Sequence, residues 1–339
     1  MSNEVETKDW VSDRVTLAVA ELKPDAVVTS VKRMTGGASS LTYSASIVDR
    51  DQSEQTFVVK IAPPGLPPTL NRDVLRQARV LRALASTEVP VPTVLREDIG
   101  RPPEIPPLVV MSLVPGQCLE PLTHREEANL PGPGVLRRRS LHAASVMAHL
   151  HSARPVQLGL QSEPVTSLRD EVLRWRRVFS AVPDDLAVGA DEVGELLLSR
   201  LPEPMAPALV HGDLRLGNML CEGEEVRAVI DWETWTIGDP RIDVGWLAMS
   251  SDAERQPHAV RTGDGMATPD EVLDVYATEI GAKPADIEWF VTLSQYRAGA
   301  MTALIVKHDR RRSPRNSFVS WWDPEVPQRF VALARERLA

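Results

Sequence analysis

The sequence predicts an α+β protein of two lobes, a small β-rich lobe followed by a mainly helical lobe. The chain has 339 residues, more than a single hydrophobic core usually serves. Runs rich in β-branched residues concentrate before residue 115, whereas the chain beyond residue 135 repeats apolar residues at helical spacing. We therefore expect one lobe over residues 1–115 and the other over residues 116–339.

Composition excludes several classes of protein. The formal net charge is −9, from 38 basic and 47 acidic residues, whereas a nucleic-acid backbone requires a basic surface. No apolar run approaches the roughly 20 residues that span a bilayer, and the N-terminus carries no export signal. Only Cys118 and Cys221 are present, which fits a reducing compartment. We expect a cytoplasmic monomer or homodimer without a nucleic-acid or membrane partner.

The first lobe begins with a predicted hairpin. Residues 27–34 and 41–49 are rich in β-branched residues and flank the glycine-containing turn "TGGASS". Residues 56–61 predict a third strand that prolines terminate, and residues 108–114 predict a further apolar strand. Between these two strands, residues 69–86 predict a helix that packs one apolar stripe on the sheet. The stripe consists of Leu70, Val74, Ala78, Leu81 and Ala85.

Helical patterns dominate the second lobe, beyond a loop-like connection at residues 116–135. Several of these patterns open with Ser, Asp or Thr-Pro, which are typical of helix N-termini. The exception is residues 218–233, where two short β-like runs separated by Glu222–Glu225 predict a hairpin. The helical patterns cover residues 137–153, 167–182, 190–201, 268–281 and 285–308.

The stretch "LVHGDLRLGN", residues 209–218, carries the residue types that phosphoryl transfer requires. That reaction needs a base for the attacking hydroxyl, ligands for a metal ion and cations near the phosphates. Asp213 and Asn218 have the D-x-x-x-x-N spacing in which the Asp accepts the hydroxyl proton and the Asn binds magnesium. The predicted hairpin returns Asp231, whose carboxylate oxygens suit Mg²⁺. Arg215 is placed to neutralise the transferring group.

Together, "HGDLRLGN" and the following "VIDWETWTIGDPRIDVGWL" closely resemble the aminoglycoside phosphotransferase and choline kinase family. The resemblance is strongest to the branch whose domains occur fused to acyl-CoA dehydrogenases. It implies a bilobal protein-kinase-like fold, ATP or GTP as phosphoryl donor, Mg²⁺, and a small-molecule hydroxyl acceptor. It also implies that Asp213 is the catalytic base, that Asn218 and Asp231 hold the metal, and that Asp243 braces the catalytic loop.

Other polar and aromatic residues near these motifs are expected to be structural. His211 should be a hydrogen-bonded core imidazole that shapes the loop, because Asp213 already supplies the base. Trp232 and Trp235 are expected to pack, and Asp239 with Pro240 to form a turn. The histidines of residues 137–153 lack the spacing of a metal site, and His151 is assigned to packing.

The first lobe offers candidate nucleotide ligands. Gly36 and Gly37 would let the backbone approach phosphate oxygens, to which Ser39 or Ser40 could donate. An ordinary hairpin turn uses the same residues. Lys60 lies within the apolar strand "FVVKIA", where a buried cation usually neutralises an anion. It resembles the kinase lysine that binds the α- and β-phosphates, although strand alternation could also turn it towards solvent.

The family pattern is interrupted at the residue that should orient Lys60. Kinases use a helix Glu there, whereas the aligned residue is Gln77, which accepts a hydrogen bond without offering charge. Asp73 could substitute, or could simply place favourable charge near a helix start. The alternative function is therefore a nucleotide-binding pseudokinase or scaffold without turnover. A hydrolase that uses Asp213 and His211 is a further alternative.

The strand over residues 108–114 resembles a kinase hinge, in which the backbone of Ser112 to Val114 would meet the purine and Met111 would lie behind it. The simpler interpretation is a buried strand. A basic run, Lys307 to Arg315, either recognises an anionic substrate or is a solvated helix end. The acceptor is an alcohol or hydroxy-acid metabolite, or an aminoglycoside-like antibiotic.

Overall fold

The computed structural model describes residues 2–34, 40–126, 130–311 and 323–338, and for residues 2–9 it describes the backbone alone. The chain divides into two compact units. The first comprises residues 1–115 together with 227–234, and the second comprises residues 116–226 and 235–339. Residues 227–234, expected in the second lobe, thus belong to the first unit. The predicted α+β architecture is confirmed, with a β-rich first unit and a helical second unit.

The described part of the first unit contains a five-stranded antiparallel sheet with strand order β1-β2-β3-β5-β4. The predicted strands are present. An additional strand, β4, pairs with β5 at the edge of the sheet, and three of its five residues are charged. The sheet and its two helices have the bounds α1 (Ser2–Ala20), β1 (Val27–Arg33), β2 (Leu41–Val48), β3 (Glu54–Ile61), α2 (Val74–Leu84), β4 (Val94–Asp98) and β5 (Leu108–Ser112).

The two faces of this sheet are covered by different helices. On one face, Val15 and Val19 of α1 pack in the same apolar cluster as Val59 and Ile61 of β3. Successive strand residues point to opposite faces, so Lys60 projects from the other face. The side chain of Lys60 contacts α2 there. The sheet therefore presents a lysine to the helix that the sequence predicts beside it.

Helix α2 is shorter than predicted. It begins at Val74 because the Asp73 side chain accepts a hydrogen bond from the Arg76 backbone N–H at 2.9 Å and caps the helix. Leu70 precedes the helix in a 3₁₀ turn and is 83% exposed, and Ala85 is exposed as well. The predicted stripe is therefore wrong at both ends. The residues of α2 that are buried are Val74, Gln77, Ala78, Val80, Leu81 and Leu84.

The second unit is built mainly from helices. Its short strands β6 (Val165–Thr166), β7 (Ala208–Val210) and β10 (Thr236–Gly238) form a small sheet in the order β6-β10-β7. The predicted hairpin is confirmed as β8 (Met219–Glu222) and β9 (Glu225–Val229), and the chain passes into the first unit within β9. The helices are α3 (Pro133–Ser152), α4 (Leu168–Phe179), α5 (Ala190–Ser199), α6 (Arg241–Ser250), α7 (Pro269–Ile280), α8 (Ile287–Asp309) and α9 (Val326–Leu338).

Helices α6 and α8 form the centre of the second unit. Every residue of α6 is buried, so its sequence shows no amphipathic period and the helix was not predicted. The two helices approach so closely at Gly245 that a Cβ atom there would lie 2.6 Å from the carbonyl carbon of Phe290. Among the described residues, no helix combines the length and apolarity that a membrane span requires.

Asp239 and Pro240 lie in the predicted turn, in which the Ile242 N–H donates to the Asp239 carbonyl oxygen at 3.2 Å, and Asp239 also forms a buried ion pair with Arg241. Pro240 is the N-cap residue of α6, and Asp239 accepts hydrogen bonds from Arg241 Nε at 3.0 Å and Arg241 Nη2 at 2.8 Å. The Met205 backbone N–H also donates to Asp239, at 3.0 Å. Asp239 is therefore a structural group that fixes the start of α6.

Candidate active site

The predicted catalytic loop, residues 211–218, follows β7 and ends in a 3₁₀ turn at Asn218, directly before β8. The turn brings Asn218 back onto Asp213. The Asn218 Nδ2 donates to the Asp213 carbonyl oxygen at 2.8 Å and to the Asp213 carboxylate at 2.7 Å. The two residues that the D-x-x-x-x-N spacing identified are thus in direct contact.

A buried carboxylate holds the backbone at the start of this loop. Asp243 on α6 is 0% exposed and accepts from the His211 N–H at 2.7 Å and the Gly212 N–H at 2.8 Å. Burial opposes its charge, but the hydrogen bond and charge of His151, together with the His211 interactions, lower the pKa of Asp243 below its ordinary value. Asp243 therefore braces the loop, as the family resemblance implies.

Two histidines complete this support. His211 is fully buried and its Nδ1 accepts from the Asp213 N–H at 3.1 Å, which matches its predicted structural role. His151 does more than pack: its Nε2 lies 3.3 Å from Asp243 and its Nδ1 lies 2.9 Å from the Tyr276 hydroxyl. Nε2 donates to the carboxylate, and Nδ1 accepts from the tyrosine hydroxyl when the ring is neutral or donates to it when the ring is charged.

Arg215 connects Asp213 to an acidic residue that the sequence did not indicate. Its Nε donates to Asp213 at 3.2 Å, and its Nη1 donates to Glu120 at 2.9 Å. Glu120 also accepts from the Gly217 N–H at 3.3 Å. Gly217 permits this arrangement, because a Cβ atom there would lie 2.1 Å from Arg215 Nη1. Glu120 lies 95 residues from Arg215 in the chain, so no local pattern could have identified it.

Burial and charge act differently on the two members of this pair. Burial raises the pKa of Glu120, and Arg215 offsets only part of that effect. Burial also disfavours the charged form of Arg215, but Asp213 and Glu120 outweigh it and raise the pKa of Arg215. Arg215 therefore stays cationic beside the Asp213 carboxylate.

The first unit contains the second group of predicted residues. Lys60 Nζ donates to Gln77 Oε1 at 3.1 Å and to Asp231 Oδ1 at 3.2 Å. Gln77 is held in turn by its donation to the Asn71 carbonyl oxygen at 3.3 Å. Gln77, not the helix cap Asp73, therefore orients the lysine.

The backbone at Asp231 is in the left-handed region, with φ of 67°. A non-glycine residue there costs of order 1–3 kcal/mol and is often found at functional sites. The following Trp232 is buried and donates through Nε1 to the Val229 carbonyl oxygen at 2.9 Å, which fixes the turn. Trp232 and Trp235 are both buried, as predicted for packing groups.

Asn218 in the second unit and Asp231 in the first unit each offer an oxygen atom of the kind that binds magnesium. Asn218 makes its hydrogen bonds to Asp213 through Nδ2, so its amide oxygen remains a candidate ligand. Asp231 uses Oδ1 for Lys60, and its Oδ2 makes no hydrogen bond with the described residues. Both are hard oxygen atoms of the kind that Mg²⁺ prefers.

At the predicted hinge, Ser112 already makes hydrogen bonds within the protein. The Ser112 N–H donates to the Thr93 carbonyl oxygen, and the Thr93 N–H donates to the Ser112 hydroxyl, both at 2.9 Å. Met111 is buried in β5. Among the described residues, Leu113 and Val114 make no backbone hydrogen bond. Their backbone groups are therefore the ones available to a ligand.

The remaining predicted residues are only partly described. Ser40 is buried directly before β2, whereas Gly36, Gly37 and Ser39 lie outside the described residues. In the basic run, Lys307 donates to the Ala181 carbonyl oxygen and Arg310 pairs with Asp185 at 2.8 Å. The described part of the run thus serves the packing of α8, and residues 312–315 lie outside the description.

Comparison with known proteins places this arrangement among phosphotransferases. Acyl-CoA dehydrogenase family member 10 of Mus musculus is 27% identical over 320 residues, which cover 87% of this chain. The chain spans only 29% of that relative's length. The predicted resemblance to kinase domains fused to acyl-CoA dehydrogenases is confirmed.

Two solved structures share the fold. A protein assigned provisionally as an aminoglycoside phosphotransferase, from Ralstonia eutropha JMP134, has a TM-score of 0.74 at 22% identity, covering 96% of this chain and 97% of its own. A thermostable mutant of aminoglycoside phosphotransferase APH(4)-Ia, in ternary complex with AMP-PNP and hygromycin B, has a TM-score of 0.58 at 17% identity, covering 95% and 97%. The model of the phosphotransferase enzyme family (APH) matches residues 30–272, and the chain belongs to that family.

Proposed function

We propose that the protein transfers the γ-phosphoryl group of ATP or GTP to a hydroxyl group of a small molecule. The observation that carries this proposal is the direct contact of Asp213 with Asn218, on a loop whose backbone N–H groups donate to Asp243. The complex of APH(4)-Ia with AMP-PNP and hygromycin B supports it, because a protein of this fold there binds a nucleotide analogue and a small molecule together.

Asp213 is the proposed base. Asn218 donates to one of its carboxylate oxygens and Arg215 to the other, and each oxygen retains a further lone pair for the acceptor hydroxyl. These hydrogen bonds orient the carboxylate without blocking it. Asp213 would accept the hydroxyl proton as the oxygen attacks the γ-phosphorus, and the charge of Arg215 would stabilise the transferring group.

Asn218 and Asp231 are the proposed metal ligands. When bound, Mg²⁺ would neutralise charge on the phosphate oxygens. The chain's contribution is to fix the ligand atoms in advance, through Asp213 for Asn218 and through Lys60 for Asp231.

Lys60 is the proposed partner of the nucleotide phosphates. Because Gln77 replaces a carboxylate, Asp231 is the acidic side chain that pairs with Lys60 in the first unit. The neutral amide of Gln77 orients the lysine without adding a second negative charge that would compete with phosphate. The backbone of Leu113 and Val114 would meet the purine, and Gly36, Gly37, Ser39 and Ser40 remain proposed phosphate ligands.

The test is an ADP-release assay with ATP and GTP over a panel of hydroxyl compounds, with and without Mg²⁺. We expect ADP or GDP formation that requires both the metal and an acceptor. Asp213→Asn should lower turnover about 100- to 10,000-fold, the usual contribution of a general base, and should leave the unfolding curve unchanged.

Three results would contradict the proposal or part of it. Nucleotide binding without turnover on any acceptor would identify a pseudokinase, the alternative that Gln77 favours. Release of free phosphate without an acceptor would identify a hydrolase. Wild-type rates in Asp213→Asn would remove the assignment of the base.

A further inference from the structure

Arg297 is a buried cation at the centre of the second unit. It is the only charged residue of α8 between Glu288 and Lys307 and is 3% exposed. Its guanidinium carbon lies 5.0 Å from the ring centroid of Trp175 on α4 and 4.5 Å from that of Trp246 on α6. Two indole rings thus contact the charged group.

The guanidinium of Arg297 has no polar partner in the part of the chain that the structure describes. Among the described residues, Arg297 makes no hydrogen bond and no ion pair. Its Nε is fully enclosed without an acceptor, and so is the Nε1 of Trp246 beside it. The two Nη nitrogens are not among the fully enclosed atoms, so water can reach them. The region therefore has donors in excess of acceptors.

The nearby carboxylates are committed elsewhere. Glu171 is buried and accepts from Trp175 Nε1 at 2.7 Å, and Asp243 is used by the catalytic loop. Burial lowers the pKa of Arg297, while the charges of Glu171, Asp213 and Asp243 act in the opposite direction. An arginine remains protonated in proteins. A buried charge without a hydrogen-bonded partner is costly, and such groups are normally paired.

We infer that Arg297 binds a carboxylate of the acceptor, which makes the substrate a small hydroxy acid. The inference rests on the proposed function, because it assumes that the acceptor hydroxyl is at Asp213. The planar guanidinium offers parallel N–H donors that match the two oxygens of a carboxylate. The rings of Trp175 and Trp246 hold the guanidinium plane in place.

Two observations favour a small anion over other acceptors. Arg297 lies over Trp246, one turn of α6 after Asp243, and Asp243 holds the Gly212 N–H next to Asp213, so one small molecule can present its hydroxyl to the aspartate and its carboxylate to the arginine. A cationic acceptor such as an aminoglycoside would meet an unpaired positive charge instead, which disfavours it.

The test uses matched acceptors that differ only in the anionic group. The α-, β- and γ-hydroxy isomers of butanoate are compared with the corresponding hydroxy amides in the ADP-release assay with wild-type protein and Arg297→Gln. We expect wild-type protein to prefer a hydroxy acid, and Arg297→Gln to raise KM for that acid by about 10- to 100-fold, as loss of a charged hydrogen bond predicts. KM for the nucleotide and turnover of the amide should not change.

Two further variants serve as controls. Arg310→Gln makes the same substitution on the same helix at a surface arginine paired with Asp185, and it should leave the preference intact. Arg297→Lys keeps the charge but loses the planar fork, and it should restore part of the preference. The unfolding midpoint of each variant shows whether it is folded.

The outcomes separate this inference from the proposed function. Equal use of acids and amides, or an unchanged preference in Arg297→Gln, would overturn the role of Arg297 and leave the phosphotransferase intact. If no acceptor is phosphorylated, the proposed function fails, and thermal denaturation with γ-hydroxybutanoate alone decides the carboxylate site. A stabilisation of wild type that Arg297→Gln lacks would support the site; equal shifts, or none, would overturn it.

Discussion

Two buried arginines lie at the interface of α6 and α8, and they differ in their hydrogen-bond partners. Arg241 of α6 lies over the Phe290 ring of α8, with its guanidinium carbon 4.5 Å from the centroid. Arg297 of α8 lies over the Trp246 ring of α6 at the same distance of 4.5 Å. Both side chains are almost fully buried, at 2% and 3% exposure, yet their polar surroundings differ completely.

The guanidinium of Arg241 is saturated with acceptors. Its three nitrogens donate to Asp239, to Asp286 at 3.2 Å, and to the carbonyl oxygens of Glu203 at 2.6 Å and Ala285 at 3.3 Å. Arg297 has aromatic faces and no acceptor among the described residues. A buried cation with a structural role is normally paired with acceptors of the protein. A buried cation without such a partner requires another explanation, and for Arg297 we infer ligand binding.

The largest effect on stability is expected where the cation is saturated. Arg241→Met leaves Asp239 as a buried charge without its cation, which should lower the free energy of unfolding by about 3–5 kcal/mol. Urea denaturation followed by circular dichroism measures this loss. Adding Asp239→Asn should recover part of it, because the buried charge is then removed as well. An unchanged unfolding midpoint in Arg241→Met would break the comparison.

A smaller effect is expected at Asp243, a buried anion that is also saturated. Asp243→Asn replaces one of the two oxygen atoms that accept hydrogen bonds from the backbone of the predicted catalytic loop. The substitution should lower the free energy of unfolding by about 2 kcal/mol at neutral pH. The folded-state pKa of Asp243 is lowered, so its charged form contributes stability that is complete above the ordinary value of about 4 and lost as pH falls through the lower folded value.

The stabilities of wild type and Asp243→Asn should therefore converge as pH falls below about 4. Urea midpoints measured across this acid range would show the convergence. A difference that stays constant down to the lowest pH would mean that the charge of Asp243 does not support the loop.

The smallest effect on stability is expected at Arg297. Arg297→Met keeps a similar apolar length and removes an unpaired buried charge, so the free energy of unfolding should change by less than about 1 kcal/mol or rise. Urea denaturation without ligand is the measurement. A loss comparable to that of Arg241→Met would show that Arg297 is a structural group, and the contrast between the two arginines would disappear.

The sequence predicted the elements whose patterns are local. The strand that contains Lys60 is rich in β-branched residues, the hairpin before Asp231 consists of two short β-like runs, and α2 shows a stripe that includes Gln77. Helix α6 is buried on all sides and has no such period. Leu70 fits the α2 stripe by spacing alone, but the cap at Asp73 starts the helix after it.

The candidate site divides in the same way. Asp213 and Asn218 are five residues apart and were recognisable from spacing, as was Asp243 from the family resemblance. Glu120 reaches the loop from 97 residues before Gly217, a distance that no motif spans. Arg297 did leave a signal, as the only charged residue between Glu288 and Lys307 of α8, because such residues are rarely buried without a partner.

The most direct measurement is transfer of an isotopically labelled γ-phosphoryl group from ATP, with Mg²⁺ and the preferred acceptor, followed by mass spectrometry of the products. The proposed function predicts that wild-type protein places the label on the acceptor hydroxyl and that Asp213→Asn does not. Label found only in ATP or in free phosphate, or label transferred equally by Asp213→Asn, would contradict it.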